Sequence, residues 1–134
     1  MKRGAATLLA AAAALTVGVA TGSPRIHVPT QITHDASVPL DGRRVLEGGQ
    51  VNSRFFPCRG DRSFVLFGYY RDHPRVLLDR GFSTDGGAWA AKGDPNAVVR
   101  MKLVVHRTVV RTPRFNGHVR RRVCQPAALT WRVD

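Results

Sequence analysis

From residue 23 to the end, no window of about a dozen residues carries apolar positions at helical spacing, and that absence confines the chain to an all-β fold. Short β-branched and aromatic runs are separated instead by glycine, proline, asparagine and aspartate. Three runs are clearest. Residues 62–70 (Phe64, Val65, Leu66, Phe67, Tyr69, Tyr70) are apolar on both faces and predict a strand in the middle of a sandwich. In 99–105, Val99, Met101, Leu103 and Val105 alternate with Arg100, Lys102 and Val104, and at the end Leu129, Trp131 and Val133 alternate with Thr130 and Arg132. Weaker strands are expected over 45–53, 75–82, 88–92, 108–111 and 119–124. Asp85-Gly86-Gly87 predicts a turn between the Phe82 and Trp89 segments, and Asn116-Gly117 predicts a hairpin joining 109–114 to 118–123. Asp94-Pro95-Asn96 and His73-Pro74 mark two more turns. Seven or eight strands spaced this way predict a two-sheet sandwich.

The N-terminus reads as a secretory signal peptide. Met1-Lys2-Arg3 precedes an uncharged, Ala-rich run over 4–20, and small residues at Gly18, Ala20 and Gly22 offer cleavage after Ala20 or Gly22. The run is short for a spanning helix, and no later apolar run reaches that length. The expected organisation is therefore a signal peptide over 1–22, an extended leader or edge strand over 23–42 punctuated by Pro24, Pro29 and Pro39, and a β-sandwich over 43–134. The product is expected to be secreted, with peripheral association at the cell surface as the alternative.

Cys58 and Cys124 are the only cysteines, and an even number in a small exported chain favours a disulfide between them. Neither sits in a Cys-x-x-Cys or has a histidine at ligand spacing, so no metal or cofactor is expected. The chain is strongly basic, with a net charge of +12 of which Lys2 and Arg3 carry two, and lysine occurs elsewhere only at Lys92 and Lys102. Such a field favours polyanions, while an Ala-, Gly-, Val- and Arg-rich composition also follows from GC-rich coding.

One feature rises above that background. The arms of the Asn116-Gly117 hairpin carry Arg107, Arg111, Arg114, Arg120, Arg121 and Arg122, with His106 and His118 at the edges and Phe115 at the tip. Alternation puts Arg120 and Arg122 on one face and Arg121 on the other, and arginine's planar fork suits phosphate and carboxylate. The competing reading is an edge strand charged against sheet-to-sheet pairing.

Catalytic constellations are sparse, and no catalytic residue is assigned. Asp61, Asp72, Asp79, Asp85 and Asp94 fall in or beside expected turns, and the only glutamate is Glu47. Ser63 or Ser83 with His73 or His106 lacks any elbow to present a nucleophile. His27 and His34 read as exposed and idle, and Trp89 and Trp131 as core rather than a sugar-binding face with Tyr69 and Tyr70.

The spacing of Gly49-x-Val51-x-Ser53, Cys58, Arg62, Val65-Leu66-Phe67, the Ser83-Thr84-Asp85-Gly86-Gly87-Ala88-Trp89 turn and Cys124 resembles secreted actinobacterial β-sandwich modules of the carboxypeptidase regulatory-like and transthyretin-like (Ig-like) type. Gly87-x-Trp89 matches their closing element. The resemblance spans roughly residues 45–134 and implies a non-enzymatic module with a structural, adhesive or ligand-presenting role. The expected partners are an anionic cell-envelope polymer or another surface protein, and not a specific nucleic acid. A polyanion-binding effector is the alternative, and a small exported hydrolase or proteinase inhibitor the third.

Overall fold

A computed structural model of the chain describes residues 25–42, 44–94, 96, 98–111 and 120–133. The segment 1–22, read as a signal peptide, lies outside them. The fold is all-β with one disulfide, and its eleven short strands are β1 (Arg25–Val28), β2 (Gln31–Ile32), β3 (Ala36–Asp41), β4 (Arg44–Asn52), β5 (Ser63–Tyr70), β6 (Val76–Phe82), β7 (Ala88–Gly93), β8 (Val98–Val105), β9 (Thr108–Arg111), β10 (Arg121–Cys124) and β11 (Ala127–Arg132). No helix among the described residues is long and apolar enough to cross a membrane.

Two sheets face one another. One runs β11-β8-β5-β6; in the other, β4 is flanked by β7 on one side and by β2 and β3, end to end, on the other. Alternation decides what lies between them: Phe64 and Leu66 of β5, Met101, Leu103 and Val105 of β8, Trp89 and Ala91 of β7 and Val51 of β4 form one buried cluster. The outer face of β5 is covered by cations rather than by a third layer. The Arg75 guanidinium lies 4.1 Å from the Phe67 ring centre and that of Arg100 5.0 Å from Tyr69. The β8 pattern holds with one correction. The pairing passes from Tyr69↔Arg100 to Tyr70↔Val98, so the slip at Val99 turns Val98 inward in its place.

The predicted 82–89 turn forms between β6 and β7, which belong to different sheets. Gly87 adopts φ +99°, and a Cβ there would come within 2.4 Å of the Val51 carbonyl oxygen. Asp79, placed beside a turn by its residue type, sits mid-strand; its Oδ2 accepts the Lys92 backbone N–H at 2.7 Å and ties the sheets together along this edge. Where β5 ends, burial first, then the charge of Asp94 and a hydrogen bond to it, push the Tyr70 phenol above its ordinary range.

The segment 23–42 contributes three strands. β1 pairs in parallel with β10, which pairs antiparallel with β9, making a third, smaller sheet. Its inner face packs Val28, Val110 and Cys124 against Phe55 and Cys58. Cys58, in the short 3-10 turn Phe56–Cys58, bonds Cys124. The bridge closes a 66-residue separation, worth about 4 kcal/mol in the chain-entropy treatment.

Beside the bridge, Arg62 is wholly buried. Its Nη1 donates to the Cys58 carbonyl (2.7 Å) and Thr30 Oγ1 (3.1 Å), and its Nη2 to the carbonyls of His106 (2.9 Å) and Gln125 (2.8 Å). Nε has no partner among the described residues, and burial pulls the guanidinium below its ordinary pKa.

Two outcomes follow. Arg62→Met removes the partner of three carbonyls, that of Cys58 fully buried, and should cost at least about 3 kcal/mol in denaturant unfolding, against under about 0.5 for Arg80→Gln on the surface; equal costs would deny Arg62 its organising role. Tyr70 should ionise above free tyrosine in the difference between wild-type and Tyr70→Phe ultraviolet titrations. Because its folded value is raised, its contribution to stability is complete below the ordinary phenol range and is lost as pH rises through the shifted value.

Candidate functional site

The cationic candidates fall on the small sheet. The register sets Arg25 of β1 beside Arg121 of β10, and Arg121 beside Arg111 of β9. Residues directly paired share a face, so three arginines form one row across the sheet, spanning about 10 Å at ordinary strand spacing. Like charges directly opposite on neighbouring strands repel. Among the described residues no carboxylate lies within ion-pair distance of them; the one acid–base contact is the His34–Glu47 hydrogen bond, elsewhere in the fold. Arg25 and Arg111 are exposed and Arg121 half-buried.

The remaining predicted arginines separate. Arg122 points to the opposite face, as alternation requires, and lies 4.3 Å from the centre of the Phe55 ring, where it roofs the disulfide cluster. Arg120 is exposed just before β10, and Arg107 is exposed between β8 and β9. Arg114, with Phe115, the Asn116-Gly117 turn and His118, lies outside the described residues, although the β9–β10 pairing that the hairpin requires is present. Arg25 escaped the sequence reading because it sits in the leader. The alternation of Arg25-Ile26-His27-Val28 marks a strand, but nothing local reveals a parallel partner near the other end of the chain.

A second polar arrangement lies at the open seam between β3 and β11. On the core face of β4, Val45, Glu47, Gly49 and Val51 follow one another at period two. Along the neighbouring edge, pairing begins as Ile32↔Val51 and resumes as Ala36↔Gly48, one residue out of step. That extra residue re-aims the chain. His34, before the slip, and Ser37, after it, both turn toward Glu47. His34 Nε2 donates to Oε1 at 2.7 Å and Ser37 Oγ to Oε2 at 3.0 Å, and Glu47 is only 2% exposed. The imidazole stacks on Trp131 with ring centres 4.1 Å apart and planes at 10°.

Gly49 makes room for this. A Cβ there would lie 1.9 Å from the Thr33 carbonyl oxygen, to which Trp89 Nε1 donates at 2.9 Å across the gap. His34, read as exposed and idle, is thus engaged, and Trp89 and Trp131 pack at the core as expected. Ser37 bonds the carboxylate rather than the imidazole, so the three groups are not ordered as nucleophile, base and orienting acid. Ser83 Oγ donates to the Arg59 carbonyl and accepts the Arg62 N–H, and His73 stacks on Tyr70.

Compared with known proteins, the chain matches no family model, no curated protein and no solved structure.

Gly49→Ala should unseat the Thr33 carbonyl and with it the Trp89 bond. The expected result is a loss of about 2–4 kcal/mol and of the near-ultraviolet tryptophan circular dichroism; unchanged signals would mean that the close approach is dispensable.

Proposed function

We propose that this chain is an exported, non-catalytic β-sandwich module that docks on anionic polymers of the cell envelope through the arginine row of its small sheet. The observation that carries the reading is the register that lines up Arg25, Arg121 and Arg111 with no carboxylate among them. Three cations held side by side repel one another until an anion lies across them, and each guanidinium can meet a phosphate or carboxylate with two parallel hydrogen bonds. The signal-peptide layout and the strongly basic composition support the same reading.

The test is binding to long-chain polyphosphate across a salt series. Three contacts should give a log–log slope of about −2, by the counterion-release rule for single-stranded polyanions. Neutralising Arg25, Arg111 and Arg121 together to Gln should abolish most binding, while the same charge removed as Arg54→Gln, Arg71→Gln and Arg80→Gln should leave most of it. Equal losses from the two triples would make the attraction a matter of net charge, and salt-independent or absent binding would favour a purely structural module.

A further inference from the structure

We propose that the cleft over Glu47 binds a small organic cation, a primary amine carrying an apolar body, independently of the arginine row. The cleft has a volume of about 410 Å³ and lies between the sheets at the β3–β11 seam, with His34, Ser37, Val45, Glu47, Met101 and Trp131 in its lining. That volume is at the lower end for ligand pockets, which suits a small guest.

The floor selects the charge. Glu47 is the only glutamate of the chain and is buried, yet none of the twenty-one lysines and arginines forms an ion pair with it among the described residues. A carboxylate offers about four acceptor positions, and here one oxygen takes the imidazole N–H and the other a neutral hydroxyl. Acceptor capacity is left over at a buried position that no lysine or arginine among the described residues reaches, which is where a cationic donor from outside gains most. An ammonium with three N–H groups supplies both the charge and the hydrogen bonds.

The walls select the body. Val45, Met101 and Val133 are apolar, and the Trp131 indole, held by its stack on His34, provides an electron-rich surface of the kind that attracts cations. Arg132 also lines the cleft, so a guest carrying its own carboxylate is not excluded by charge at the rim, and the test therefore includes one.

Trp89 and Trp131 are the only tryptophans, both within stacking range of His34, so intrinsic fluorescence reports directly on the cleft. The folded chain with its disulfide intact is titrated with benzylamine, benzyl alcohol and benzoate. Benzylamine should give a saturable change with at least roughly tenfold higher affinity than the other two, the size of one charge-assisted hydrogen bond. Glu47→Gln should erase the preference for the amine over the alcohol. Equal or better binding of benzyl alcohol or benzoate, or no saturable change with benzylamine, would overturn the proposal. That comparison is made on the wild-type chain, so it stands even if the variant does not fold. Retention of the amine preference in folded Glu47→Gln would overturn the role of the carboxylate.

Discussion

Everything at one end of this molecule hangs on a guanidinium that water does not reach. Arg62 bonds the carbonyl that closes the disulfide turn, the carbonyl at which the chain leaves β8, the carbonyl that follows β10 and a hydroxyl between β1 and β2. A buried cation without a carboxylate is costly, and what offsets that cost is the number of oxygens pointed at it. The dependence runs both ways: the carbonyls need the arginine as much as the arginine needs them. The small sheet is thereby fastened to the sandwich by a polar centre on one side and by the Cys58–Cys124 bridge on the other. The same anchoring holds β10 in the register that aligns Arg121 with its two neighbours.

The second centre works by different physics. At the seam, a one-residue slip in pairing and the missing side chain of Gly49 bring a histidine and a serine onto one carboxyl group, with the Trp131 indole stacked on the histidine and Trp89 bonded to the neighbouring Thr33 carbonyl. The two centres differ in chemistry: one buries a guanidinium among carbonyl and hydroxyl oxygens, and the other buries a carboxyl group against an imidazole and a hydroxyl.

Much of the fold was legible because strands buried on one face must alternate. Residues 62–70 and the β8 run became core strands, the Leu129–Trp131 alternation became the half-buried edge strand β11, and the Asp85-Gly86-Gly87 turn formed where its residue types demand. Two things were not legible, for one reason. The pairing of β1 with β10 and the slip opposite Gly48–Gly49 are relations between distant segments, and neither leaves a local pattern. Arg25 was therefore missed as the third member of the cationic row, and His34 was read from a stretch whose prolines suggested a leader. Val99 illustrates the same limit within one strand, since a slip against β5 exchanged it for Val98 without altering the hydrophobic alternation of either segment.

The parallel pairing of β1 with β10 also sets an order of events. The first described strand cannot find its partner until residues 121–124 have been synthesised, some ninety residues later, and a similar delay applies to Cys58, which waits for Cys124. Closure of the small sheet, formation of the bridge and capture of Arg62 by the Gln125 carbonyl therefore all wait on the one segment 121–125.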